Sequence, residues 1–190
     1  MLPKSLKSNY VRLNYDDYLL FPEDGKRHEI IEGEHYMAPA PNMRHQSISS
    51  NLEFILKQYV EEHDLGRVFD APCDVVLSYE NIVQPDILFI SKKNYGIITP
   101  RNVQGAPDLL IEIMSESSRK LDRLIKMNTY GKYGVEEYWV VDPVINQIEI
   151  FRKSKTGLKL FKTTQEEEGE LTSPLFPDLK VNLKKVFEEF

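Results

Sequence analysis

The pattern of apolar and polar positions sets two helical stretches among short strands. Between residues 44 and 62 the apolar side chains fall at Ile48, Leu52, Ile55, Leu56, Tyr59 and Val60. That spacing predicts a helix packed along one face, with Gly66 as its stop. Ahead of it a short helix is expected over residues 15–20, closed by Phe21-Pro22 and the turn Glu23-Asp24-Gly25. HEIIEGEHYMA, residues 28–38, reads as a hairpin turning at Gly33, with Pro39 and Pro41 closing it. Three strand-like runs follow the long helix, over 67–71, 74–78 and 82–90, the first two parted by Pro72-Cys73. A loop over 94–107 leads into DLLIEIM, residues 108–114, a continuous apolar run that suits a central strand buried on both faces. Ser115 to Ser118 offer caps for a second helix that runs to about Tyr133 and stops at Gly134. Strands over 137–141, 147–151 and 158–162 and a short terminal helix over 183–190 complete the order. Such an order predicts an α/β (α+β) fold with a mixed sheet.

Composition narrows the class. With 190 residues, 41% hydrophobic and 28% charged, the chain is sized for one globular domain, 1–190, with a sizeable core. No apolar run approaches the roughly 20 residues of a membrane span, and the N-terminal residues lack a signal-peptide stretch. The single cysteine, Cys73, forms neither an intrachain disulfide nor a cysteine metal site. A cytoplasmic protein without membrane association is expected. The net charge of −6 counts against a dedicated, sequence-tolerant DNA binder, yet the charge is unevenly spread. Arg119, Lys120, Arg123, Lys126 and Lys132 have only Asp122 against them in their stretch. Arg152, Lys153, Lys155, Lys159 and Lys162 form a second basic stretch, read as a solvated face.

Two acids stand in surroundings wrong for acids. Asp86 interrupts VQPDILFI and Glu112 interrupts DLLIEIM. A buried carboxylate without partners costs several kcal/mol or gives up its charge, so a cationic side chain, hydrogen bonds or a metal ion must offset the cost. If the two strands are neighbours, the carboxylates converge, and hard oxygen ligands of this kind suit Mg²⁺ or Mn²⁺. The structural alternatives are an acid facing solvent at a strand end, or one paired with Arg or Lys. A cation stands nearby: the helix after Glu112 carries Asp122, Lys126 and Tyr130 on one face. His45, near a helix start, reads as a cap or a satisfied polar residue, and His28, His35 and His63 show no metal-ligand spacing. Tyr138-Trp139 reads as core, with base stacking open to an exposed Trp139, and Cys73 as a small buried hydrophobe. The chain contains no G-x-S-x-G elbow and no Gly-rich phosphate loop, which removes support for serine hydrolases and nucleotide kinases.

The order of these pieces resembles one family. Pro85-Asp86, a strand bearing Glu112, a helix with Asp122, Lys126 and Tyr130, and then GVEEYWVVDP look like the Uma-two family of restriction-endonuclease-like proteins, within the PD-(D/E)XK nuclease superfamily. HEIIEGEHYMA is similar to that family's N-terminal Glu-Leu-Ile-Asp-Gly-Glu hairpin, and Arg44-His45-Gln46 to its helix start. PDLLIEIMSESS is similar to its Glu-Val-Leu-Ser-Pro-Ser segment and LFPDLKVNLKKVF to its C-terminal tail, so the likeness covers nearly the whole chain. The resemblance implies a restriction-endonuclease-like mixed β-sheet flanked by helices, with an extra N-terminal hairpin and C-terminal strands. It also implies Asp86 and Glu112 as metal ligands. The chain departs from the superfamily at Met114, where a lysine is usual two residues after the second acid. The resemblance implies that the lysine has moved to the following helix, at Lys126. Glu116 stands where the family usually has proline. Among the hairpin acids Glu29 matches the family's leading Glu and is the candidate third ligand, while Glu32 and Glu34 read as exposed turn acids.

In such a set a divalent ion on Asp86 and Glu112 would polarise the scissile phosphate. Lys126 would hold or deprotonate the attacking water, or neutralise developing charge. The expectation is a Mg²⁺- or Mn²⁺-dependent endonuclease acting on DNA, as a homodimer suited to cutting two strands. A second expectation is a catalytically silent nucleic-acid- or protein-binding module on the same fold, its acids kept as ion pairs. A third is a nuclease for RNA or a small phosphodiester.

Overall fold

The strand-forming runs pair into three sheets in the computed structural model, which describes residues 11–38, 40–115 and 121–188. After a one-turn helix, α1 (Tyr15–Tyr18), the expected hairpin forms from β1 (Arg27–Ile31) and β2 (Glu34–Ala38). Its turn needs left-handed backbone, which Glu32 (φ 53) and Gly33 (φ 78) adopt. Helix α2 (Met43–Glu62) starts at Asn42, whose side chain accepts the His45 N–H at 2.9 Å, and buries Ile48, Leu52, Leu56 and Val60. It ends at His63, ahead of the expected stop at Gly66. Gly66 instead opens strand β3 (Gly66–Asp70), pressed so closely on its neighbour that a Cβ would lie 2.2 Å from the Ile90 carbonyl oxygen.

After β4 (Val75–Ser78), the run expected as one strand over 82–90 is two strands in two sheets, β5 (Asn81–Val83) and β6 (Ile87–Ser91). Pro85 has no N–H to give to a ladder, and the chain crosses between sheets at 84–86. The expected loop over 94–107 holds part of a 3₁₀ segment, Lys92–Ile97, and a two-residue strand, β7 (Val103–Gln104), parallel to β4. Strand β8 (Leu109–Ile113) is buried along its whole length, as its apolar run predicts. Most of the expected caps of the next helix, with Glu116, Arg119 and Lys120, lie outside the described residues. The described part opens with a π-helical turn, Leu121–Lys126, continues as α3 (Met127–Tyr133) and stops at Gly134, at φ 87. Strands β9 (Glu137–Asp142), β10 (Gln147–Ser154) and β11 (Gly157–Gln165) follow. Beyond an acidic turn, β12 (Glu170–Ser173) and β13 (Phe176–Asn182) form a hairpin where the residue pattern predicts no element and the family resemblance implies C-terminal strands. A short α4 (Leu183–Val186) comes after it.

The six-stranded sheet, in order β11-β10-β9-β8-β6-β3, forms the centre. Alternation along its strands separates two cores. Ile87, Phe89, Leu109, Ile111, Ile113, Trp139 and Val141 face α2, the β12–β13 hairpin and α4. Leu88, Leu110, Tyr138 and Val140 face α3 and the five-stranded sheet, in order β2-β1-β5-β4-β7. The architecture is mixed α/β with helices against the sheets, as the chain pattern predicts. No helix among the described residues is long and apolar enough to cross a membrane.

Candidate functional site

The ladder between β6 and β8 pairs Ile87 with Ile111 in antiparallel register. One step further along the ladder stand Asp86 and Glu112. Directly opposed antiparallel residues share a face, so both carboxylates point toward the second sheet and α3. Asp86 is not inside a strand but at the mouth of β6, where it takes the backbone N–H of Ile113 on Oδ2 at 2.8 Å. His45, in the first turn of α2, donates from Nε2 to the same oxygen at 3.1 Å. The other oxygen, Oδ1, holds the Arg27 guanidinium at 2.5 Å. Burial pushes the Asp86 pKa up, but the His45 bond and charge, Arg27 and the Ile113 N–H outweigh it and bring the carboxyl down to about 2.

Glu112 is held from the following helix. Lys126 donates to its Oε1 at 3.0 Å and Tyr130 to the same oxygen at 2.7 Å. The one-face spacing of Asp122, Lys126 and Tyr130 places all three in the core beside Glu112. The Lys126 ammonium also lies 3.0 Å from Glu29 Oε2 and 3.6 Å from Asp122 Oδ1. Glu29 reaches it from β1, and its other oxygen accepts the Gln84 N–H at 2.7 Å. Burial, together with Asp122, Asp86 and Glu29, drives the Glu112 pKa well above the ordinary 4.5 against the pull of Lys126. Burial pulls Lys126 the other way, but Glu112, Glu29 and Asp122 prevail and its pKa stands well above the usual value. Glu29, Asp86, Glu112, Asp122 and Lys126 line a cavity of about 690 Å³.

The structure thus brings Asp86, Glu112, Lys126 and Glu29 to one pocket and leaves Glu32 and Glu34 exposed at the hairpin turn, Glu32 paired with Lys132 at 2.9 Å. Arg27, His45 and Gln84 join the pocket without a signal in the local pattern. Arg27 and Glu29 sit two apart on one strand face, and His45 lies in the Arg44-His45-Gln46 start that resembles the family's; these are the hints the sequence carries. His28 and His35, without metal-ligand spacing in the chain, meet across the hairpin with ring nitrogens 2.9 Å apart, and His28 bonds Asp24. Trp139 is fully buried, which removes base stacking as its role. Cys73 is half-buried.

The donor chemistry fits a hard divalent cation in part. Four carboxylates (Glu29, Asp86, Glu112 and Asp122) share the lining with three permanent cations, Arg27, Arg44 and Lys126, and with His45. The hydrogen bonds to Glu112 fall on one oxygen, and the fixed donors to Asp86 fall on one oxygen. Among the described residues, Asp86 and Glu112 therefore each keep one oxygen without a rigid partner. In the arrangement present, with Lys126 among the carboxylates, no group of three or more His, Cys, Asp or Glu side chains among the described residues is set to hold a metal.

A family model described as "Uma2: Putative restriction endonuclease" matches residues 15–184. Among solved structures the chain is similar to one from Anabaena variabilis ATCC 29413, described as "a putative nuclease belonging to DUF820". The two share 21% identity and a TM-score of 0.77 over 92% of this chain and 97% of that one, which shows a common fold. No curated protein matches the chain.

Proposed function

The chain belongs to the Uma2 family, and from that premise we propose that it is a divalent-metal-dependent endonuclease that hydrolyses phosphodiester bonds of DNA. The observation that supports this most directly is the pair of carboxylates Asp86, at the mouth of β6, and Glu112, on the neighbouring β8, each with one oxygen rigidly held and the other turned to exchangeable partners or, among the described residues, to none. Asp86 and Glu112 would hold a Mg²⁺ or Mn²⁺ ion, whose positive charge also offsets the excess of acids in the pocket. When bound, the ion supplies Lewis-acid polarisation of the scissile phosphate.

The remaining work falls to side chains. His45 and the Ile113 N–H fix the plane of Asp86, and Lys126 and Tyr130 fix that of Glu112. Preorganised donors of this kind need little rearrangement during reaction. Lys126, paired with Glu112 and Glu29 and close to Asp122, would place positive charge beside the phosphate. Both oxygens of Glu29 are engaged, by Gln84 and Lys126. Glu29 accordingly serves to hold the lysine in position, and its place in the ligand set is secondary. A cytoplasmic location and a homodimer presenting two pockets to the two strands complete the reading.

A second reading has one observation in its favour: Arg27 already pairs with Asp86, and Lys126 with Glu112. Acids retained as ion pairs would suit a silent binding module. Thermal melts with and without Mn²⁺, alongside a plasmid-nicking assay, separate the two. A nuclease gains melting temperature with Mn²⁺, and Asp86→Ala removes both the gain and the nicking. A wild-type protein with no Mn²⁺-dependent gain and no nicking favours the silent module.

A further inference from the structure

Arg27 differs from the other donors to Asp86 and Glu112. The donors on Asp86 Oδ2 are a backbone N–H and a histidine placed by a capped helix, and Lys126 is buried with 5% of its side chain exposed. Arg27 holds only Oδ1, and 22% of its side chain reaches solvent. It sits at the start of β1, and its guanidinium lies at the cavity wall. The guanidinium occupies the Asp86 oxygen that a cation would need, and it is never deprotonated at physiological pH.

We propose that Arg27 is an exchangeable counter-ion: it covers Asp86 in the metal-free protein, is displaced when a divalent cation takes that oxygen, and then binds a backbone phosphate of the nucleic acid. The inference rests on the metal-dependent nuclease reading above. Two physical points carry it. A cation arriving at Asp86 and Glu112 repels the guanidinium while removing its partner, so Arg27 is left charged and unpaired at the rim of a cavity. A fork of N–H donors there matches a phosphate's oxygens in geometry and charge. Metal loading would then both complete the hydrolytic site and present the contact that positions the substrate. Linkage requires that whatever metal does to the Arg27–Asp86 pair, the pair does to metal. The resident arginine therefore weakens cation binding, and its removal must strengthen it.

The opposed signs give a test that a merely structural arginine would not pass. Calorimetric titration of Arg27→Met with Mn²⁺ should show affinity raised about fivefold or more. Binding of a short DNA duplex in Ca²⁺, measured over a range of salt, should be weaker, with the salt slope reduced by about 1. Arg27→Lys keeps the charge and should move both values back toward wild type. In the wild-type protein, labelling of Arg27 by an arginine-selective dicarbonyl should rise with Mn²⁺ and fall again when DNA is added. This readout stands even if Arg27→Met fails to fold. Mn²⁺ affinity unchanged or weakened in Arg27→Met, or labelling indifferent to Mn²⁺, overturns the exchange. An unchanged salt slope overturns the phosphate contact. If wild-type protein binds no Mn²⁺ at all, the nuclease reading fails first and this inference with it. Wild-type binding without tightening in the variant sinks the inference alone.

Discussion

Glu112 and Glu137 are buried glutamates on neighbouring parallel strands, and they have opposite fates. In the register of β8 and β9, Leu109 stands beside Glu137 and Glu112 beside Val140. Alternation sends Glu112 to the face of α3 and Glu137 to the face of the C-terminal hairpin. Glu137 is met there by donors: the Trp139 indole N–H at 3.1 Å, the Ser173 hydroxyl at 2.6 Å and the Leu175 N–H at 3.1 Å. Arg152 adds an ion pair at 3.2 Å. Its bonds fasten the β12–β13 hairpin to the central sheet. Glu112 is met by acids, with Glu29, Asp86 and Asp122 around it and one lysine shared among three of the four. Burial alone does not mark an acid as functional. A carboxylate surrounded by donors is a fastening; one surrounded by carboxylates holds charge that a ligand can relieve.

Four measurements test this contrast. Glu112→Gln should lower nicking activity by a factor on the order of 10³ while leaving the metal-free melting temperature unchanged or higher. A clear loss of metal-free stability would make Glu112 a fastening like Glu137. Glu137→Ala should do the reverse. Removing one partner of a buried ion pair costs about 3 kcal/mol, read as a lower denaturant midpoint, with Mn²⁺ affinity kept in the folded fraction. Altered Mn²⁺ affinity would show that the two faces are not independent.

Lys126→Met should reduce turnover about a hundredfold and retain most Mn²⁺ affinity, since a phosphate partner goes and no ligand does. Full activity in that variant would assign the cation's role elsewhere. The smallest effect is one of pH. The folded pKa of Glu112 lies well above 4.5, so as pH rises past that value the folded state keeps a proton the unfolded chain has lost. Stability then falls with rising pH until the folded pKa is passed. Asp86 has the opposite sign: its contribution is present above 3.8 and is lost as pH falls through about 2. Metal-free melting temperature should therefore decline from mildly acid toward neutral pH, and Glu112→Gln should flatten the decline. An undiminished decline in that variant would place the strained acid elsewhere.

The sequence determined a good deal. The period of the apolar residues located α2, and unbroken hydrophobicity located β8, because side-chain direction repeats locally and burial follows it. The same logic exposed Asp86 and Glu112 as acids in apolar runs, and placed Asp122, Lys126 and Tyr130 on one helix face. The family motifs ordered these pieces without any contact being known. What the pattern could not supply was each acid's company. Arg27 and His45 reach Asp86 across 59 and 41 residues of chain. Ser173 reaches Glu137 across 36. Such meetings depend on how the two sheets and the C-terminal hairpin stack, not on any local period. For the same reason the run over 82–90 reads as one strand although the chain at Pro85 passes between two sheets, and Gly66 reads as a helix stop although it is the closeness of β6 that calls for glycine there. Periodicity reports which side of an element is buried. Only tertiary packing decides which charges share that burial, and here that decision separates a fastening from a candidate active site.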